Sequence, residues 1–343
     1  MMHLMEIALD FTRKPTAAER TQLERRLARL RGEGLATHLE GLSQRLVTHE
    51  TTHGKFRAEG LRLRQGFARL DSPIPGDHSD RKAPPREQRP PAARIATSRG
   101  SALRLELTAL ALAQLHRRPG VKAHLSDLGI PITGHASEFG WADLIGSLPP
   151  PSHAASGYVG SRHKRARTVR SALDSLERAG LISIPGDPKV KDRYENFALL
   201  KEVGAQAVSE REEYVVPTLT ESRVFTLPAD FILKGWLHVL EDSEINALLM
   251  MACTAGPSYD GGQMIFPGEV RLLHYGLHRA PFSNARKTLE WFGLIEVEEI
   301  DRHDDGRAED NRQMLHRVKL LPQGFNVPAL ETTVDVIQSQ LKR

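Results

Sequence analysis

The stretch Arg167-Thr168-Val169-Arg170-Ser171-Ala172-Leu173-Asp174-Ser175-Leu176-Glu177-Arg178-Ala179-Gly180-Leu181-Ile182 decides the fold class. Val169, Ala172, Leu173 and Leu176 recur at spacings of three and four, which places them on one face of a helix. Gly180 is the residue type that most easily ends a helix through a left-handed conformation, and the apolar run Leu181 to Ile184 that follows at once favours a strand. The outline returns at Asn284-Ala285-Arg286-Lys287-Thr288-Leu289-Glu290-Trp291-Phe292-Gly293-Leu294-Ile295. Two such helix-to-strand passages predict a mainly α chain of the α+β class with small β-hairpins.

Working outward, the first copy sits in a unit spanning 101–202. Leu103, Leu105, Leu107, Leu110, Leu112 and Leu115 predict an apolar helix that ends at Pro119-Gly120, and Trp141 to Ile145 a short one. The Pro-, Ser- and Gly-rich run Leu148 to Ser161 exceeds an ordinary turn between helices and reads as an insertion. A helix from Arg162 to Ala179 follows, then a hairpin from Leu181–Ile184 and Tyr194–Leu200 around Pro185-Gly186-Asp187-Pro188.

After a linker at 203–224, the second unit spans 225–321. It predicts helices at Pro228–Leu240 and Glu244–Cys253, the latter capped by Asp242 or Ser243, then a short strand at Met264-Ile265-Phe266. Glu269–Leu277 reads as a scaffold helix, His278–Pro281 as a turn and Phe282–Phe292 as the second helix of the pair. Strands Leu294–Ile300 and Leu315–Leu321 close the unit around a polar tip, Asp301–Gln313. The tail 322–343 carries a short helix, Ala329–Leu341, suited to docking or to pairing with another subunit.

Residues 1–70 form an N-terminal helical region. Leu23, Leu27, Leu30, Leu35, Leu39, Leu42 and Leu46 make an apolar stripe interrupted by Gly32 and Gly34, which either folds back on its own chain or pairs in a homodimer. A second helix is expected over 55–70, with Phe56, Leu61, Leu63, Phe67 and Leu70 on its apolar side. Residues 71–100 hold Pro73, Pro75, Pro84, Pro85, Pro90 and Pro91 among charged side chains, a composition that predicts a disordered Pro/Arg-rich linker. Its arginines either trail along a polyanion or simply solvate a tether.

The 343 residues, 40% hydrophobic, suffice for two or three compact domains. The net charge of +4 hides an asymmetry: roughly +11 over residues 1–200 and roughly −7 beyond them. The single Cys253 excludes an internal disulfide framework, and no run approaches the ~18 apolar residues of a membrane span. Met1 to Asp10 contains Glu6 and Asp10 and no basic start, so a cytoplasmic location without a signal peptide is expected.

A scaffold helix, turn, recognition-type helix and hairpin are the parts of a winged helix. Arg167 to Ile182 and Glu269 to Val297 resemble the recognition helix and wing of GntR-type and MarR-type bacterial winged-helix regulators. The tandem arrangement is also similar to that of plasmid replication initiators. These motifs cover under a fifth of the chain, which carries no effector domain of the GntR kind, and the pattern speaks to fold more firmly than to function. The resemblance implies double-stranded DNA as partner, with each recognition-type helix entering a major groove.

Under that reading, Arg162, His163, Lys164, Arg165, Arg167 and Arg170 are the densest basic cluster and, with Thr168, the first candidates for base and phosphate contact; a basic solvated helix face is the alternative. Lys189, Lys191 and Arg193 lie at the first wing. In the second unit His278, Arg279, Ser283, Asn284, Arg286 and Lys287 project from the turn and helix start. Arg286 stands where the first copy has apolar Leu173, which means either a register shift or a different packing. Asp304, Asp305, Glu309 and Asp310 would repel phosphate from the second wing, beside Arg302 and Arg307. His274 and His278 have the spacing of a helical zinc pair without a third ligand, and Cys253 reads as core.

No Walker loop, dinucleotide glycine pattern, nucleophile elbow or relaxase tyrosine stands out, so the expectation is a protein without catalysis, metal or cofactor. Three functions remain open: a transcriptional regulator, an initiator binding origin repeats, and an adaptor whose acidic second unit binds protein while the first tethers it to DNA.

Overall fold

The computed structural model describes residues 15–32, 34–48, 56–96, 101–134, 139–145, 161–187, 190, 193–204, 208–254, 262–298 and 316–343, with residues 161–163 by backbone alone. Within them the protein is mainly helical with a few short antiparallel strand pairs. No helix among the described residues is long and apolar enough to cross a membrane.

Thr16 opens the first helix reciprocally. Its hydroxyl accepts from the Glu19 amide at 3.3 Å, while the Glu19 carboxylate accepts from the Thr16 amide at 2.9 Å. Helices α1 (Ala17–Leu30) and α2 (Leu35–Thr48) then form a hairpin, with Gly34 at φ +77° between them. Leu23, Leu30, Leu35, Leu39, Leu42 and Leu46 are buried within the chain, so the leucine stripe is taken up by fold-back contacts.

The single helix expected over 55–70 is instead α3 (Phe56–Glu59), β1 (Leu61–Arg64) and α4 (Gln65–Ala68). Gly60 causes the break. It sits at φ +74°, where a Cβ would lie 2.2 Å from the Leu227 carbonyl oxygen, so only glycine lets the two backbones meet. The Pro/Arg-rich stretch expected as a disordered linker also differs over its described part, 71–96. It contains α5 (Pro91–Ile95) and buries Ile74, Ala92, Ala93 and Ile95, while its backbone bonds to the far end of the chain, Ile74 N–H to Leu273 O at 3.0 Å. Average composition conceals those few apolar anchors.

Next come α6 (Ala102–His116), α7 (Trp141–Leu144), α8 (Ser161–Arg178), β2 (Ile182–Ser183) and β3 (Ala198–Leu199). Helix α6 is buried almost all round and packs on α8, whose apolar face is Ala166, Val169, Ala172, Leu173 and Leu176. Strands β2 and β3 pair antiparallel, Ile182 with Leu199, and Gly180 at φ +72° makes the exit from α8. Bridges Leu200 to Glu213 and Lys122 to Val215 widen this hairpin toward the end of α6. The insertion expected at 148–161 lies almost wholly outside the described residues.

Strand β4 (Val224–Leu227) pairs antiparallel with β1, Leu61 against Leu227, joining two regions the composition separated. The other edge of β1 is closed by side chains: Gln114 Oε1 accepts from the Arg62 amide and Glu202 Oε1 from the Arg64 amide, each at 3.0 Å. Glu202 is fully buried, which pushes its carboxyl upward, with Arg64 at 2.8 Å opposing that shift.

The helix expected at Pro228–Leu240 is two single turns, α9 (Asp230–Leu233) and α10 (Trp236–Val239), split by Gly235 at φ +83°. Helix α11 (Asp242–Cys253) is capped at Glu241, before either expected cap, Asp242 or Ser243, and the Glu244 carboxylate accepts from the Glu241 amide at 2.7 Å. Then follow β5 (Met264–Ile265), α12 (Gly268–Leu273), α13 (Arg279–Trp291), β6 (Ile295–Glu298), β7 (Arg317–Leu320) and α14 (Ala329–Leu341). The helix pair is shorter at α12 and longer at α13 than predicted, because His278 caps α13 and absorbs most of the expected turn. The three strands are ordered β5-β7-β6, all antiparallel, with Met264 and Val297 both opposite Val318. Helix α1 packs on α14, and one continuous buried cluster runs from Leu23 to Ile337 through both units.

Candidate nucleic-acid interface

On α8, positions 164, 167 and 171 share a face opposite Val169, Leu173 and Leu176. Arg167 and Ser171 are exposed there and Lys164 is half-buried; Arg170 is half-buried beside that face. Among the described residues no carboxylate pairs with Lys164, Arg167 or Arg170. Thr168 donates to the Lys164 carbonyl at 3.1 Å, a bond within the helix.

Arg165 departs from the expectation. It lies on the packed side of α8 and reaches Asp143 of α7 at 3.4 Å with its side chain 16% exposed, so it joins the two helices rather than facing outward. Arg193 also turns inward. Its guanidinium meets Asp174 at 3.2 Å and lies over the Tyr194 ring, while the Tyr194 hydroxyl donates to the same carboxylate at 2.8 Å. The side chains of Arg162 and His163, and all of Lys189 and Lys191, lie outside the described residues.

Around α13, Lys287 and the neighbouring Arg271 are already engaged, whereas the Arg279 side chain is exposed. Lys287 Nζ lies 3.3 Å from Glu19 of α1. Arg286, expected at the surface, is buried, the position its counterpart Leu173 predicts by packing. The Arg279 amide donates to Asp80 Oδ1 at 2.7 Å, and buried Arg271 donates to both Asp80 oxygens at 2.9 and 2.7 Å and to the Leu277 carbonyl. Burial works against the Asp80 charge, but the bonds from Arg271 and Arg279 outweigh it and hold the carboxyl below its usual range. His278 is half-buried, and burial, with Arg89 nearby, pushes its imidazole downward. His274 Nδ1 bonds the Leu70 carbonyl at 2.8 Å, which joins it to the last residue before the Pro/Arg-rich stretch. Arg302, Arg307 and the acidic tip lie outside the described residues.

Ser283 and Asn284 line a cleft of about 650 Å³ with Asp80, His278 and Arg279. A second cleft of about 320 Å³ runs between α1 and α13, past Glu19, Arg26, Asn284 and Trp291. Beneath it, Arg26 and Glu244 form a buried bidentate pair at 2.6 and 2.8 Å, Thr288 donates to Glu244 at 2.6 Å, and the Arg26 guanidinium covers the Phe292 ring at 5.0 Å.

Asp80 and Asp143 had no motif to mark them. Glu19 alone carried a local signal, the Thr16-x-x-Glu19 cap. In comparisons with known proteins, no family model, no curated protein and no solved structure matches this chain.

Proposed function

We propose that this is a double-stranded DNA-binding protein with two winged-helix modules, 101–202 and 225–321, acting as a transcriptional regulator. The order helix, strand, helix, helix, hairpin from α11 to β7, with the sheet ordered β5-β7-β6, supports the second module. In the first, α6, α7, α8 and the β2-β3 hairpin follow the same sequence of parts, and the bridge at Lys122 stands where a leading strand belongs.

The contrast between the two helices carries the assignment of contacts. Lys164, Arg167 and Arg170 on α8 lack carboxylate partners among the described residues, whereas Lys287 on α13 has Glu19. Unpaired cations flanking a recognition-type helix are what a phosphate backbone recruits, each contact releasing a counterion. Arg167 then reads the groove from α8, with Lys164 and Arg170 placed for phosphates.

The test is duplex binding by fluorescence anisotropy across a salt series. Replacing Lys164, Arg167 and Arg170 with alanine should weaken binding at least tenfold and flatten the log K against log salt slope by about 1.8, at ~0.9 for each of the two phosphate contacts. Unchanged affinity and slope would refute it. An initiator of plasmid or mobile-element replication remains the second reading, favoured by the tandem modules. Sequencing the fragments retained by the protein separates scattered promoters from a repeat array.

A further inference from the structure

Two of the acidic groups that engage α13 come from the N-terminal region, besides Glu244 of α11, which takes the Thr288 hydroxyl. Asp80 takes the amide at the head of the helix together with the buried Arg271, and Glu19 takes Lys287 two turns further on. Asp80 and Glu19 stand in clefts that share Ala280, Pro281 and Asn284, so the two carboxylates lie along one continuous groove on the outer side of α13. On a helix of this kind those are the positions of backbone phosphates: one at the helix N-terminus, where amides and the dipole favour an anion, and one beside a basic residue further along.

We propose that the N-terminal region autoinhibits the second module through Asp80 and Glu19, which occupy the seats of two DNA phosphates along α13. This rests on the DNA-binding reading above. The strap is tightly fitted. Leu70 N–H bonds His274 O at 2.9 Å, and a Cβ at Gly276 would lie 2.9 Å from the Arg89 side chain. The two carboxylate contacts are nonetheless partly solvated, with side-chain exposures of 36% for Asp80 and 31% for Glu19. The Glu19–Lys287 pair, exposed on both sides, is weak; the bidentate Asp80–Arg271 bond, on a guanidinium only 4% exposed, is the stronger one, and a duplex engaged by the first module, presenting many phosphates at high local concentration, has to replace it with a phosphate on the same donors. Arg271 stays held by the Leu277 carbonyl and presents its remaining donors to the incoming phosphate. The protein would thus grip DNA first through α8 and then through α13.

The experiment measures anisotropy of a mixed-sequence 30-base-pair duplex over a salt series with the full chain. The proteins are wild type, Glu19→Gln, Asp80→Asn and the double variant, each also with Lys164, Arg167 and Arg170 replaced by alanine. The expected result is about tenfold tighter binding by the double variant in both backgrounds, with a salt slope steeper by about 2, and a smaller gain for each single variant. Glu19→Gln is a half-exposed surface change and keeps the test valid if Asp80→Asn fails to fold. No gain in any variant, while wild-type binding falls on loss of the three α8 cations, overturns the autoinhibition and leaves the first module's role intact. A gain with no sensitivity to the α8 cations overturns that role and keeps the autoinhibition. No duplex binding by any protein overturns both.

Discussion

His238 sits on α10 in the shared core, and burial, then Arg104 and His38 nearby, takes its imidazole from an ordinary 6.5 down to about 3. The folded protein therefore holds this ring neutral while the unfolded chain protonates it first. Stability from this group is fully present above pH 6.5 and is lost as pH falls toward 3. With 6.5 unfolded and about 3 folded, the loss is about 1 kcal/mol at pH 5.5 and about 3 kcal/mol at pH 4.5. The total slope also contains opposing groups, since buried Glu106 and Glu202 are pushed upward and favour the folded state at low pH. The decisive quantity is thus a difference: urea unfolding of wild type and of His238→Gln, each from pH 7.5 to 4.5. The wild-type advantage over the variant should shrink by about 2–3 kcal/mol across that range. A difference that stays flat would mean that His238 is accessible to protons in the folded state, and would refute the reasoning.

Arg26 anchors α1 through a buried pair with Glu244, so Arg26→Ala leaves a carboxylate buried and should cost about 3–5 kcal/mol, whereas the double change Arg26→Met, Glu244→Gln should cost much less; urea midpoints check both. Glu106 is fully buried on α6 with neither carboxyl oxygen hydrogen-bonded, so Glu106→Leu should be neutral or stabilising by about 1–2 kcal/mol in the same assay. Cys253 is buried and its thiol is pushed up to about 12, so iodoacetamide at pH 8 should label it only at the rate of unfolding, read by mass spectrometry. Labelling of native protein as fast as of a peptide would contradict its place in the core.

Local periodicity was enough to read α8 and its buried face, α6, the α13 helix, the hairpin after Gly180 and the β5, β6 and β7 strands, because each depends on side chains within a turn or two of one another. It also marked the basic run at 162–170, although not which of its members face outward: Arg165 and Arg167 are two residues apart, hence on different sides of the helix, and only packing against α7 shows which side Asp143 occupies. The pairing of β1 with β4 was beyond reach, since four residues of alternating Leu and Arg suit a helix or a strand until a distant partner supplies the ladder. The same holds for Asp80 and Glu19. A carboxylate in a polar stretch carries no mark of the amide or ammonium it will meet, and its role is decided by long-range contacts that bring the N-terminal region onto α13.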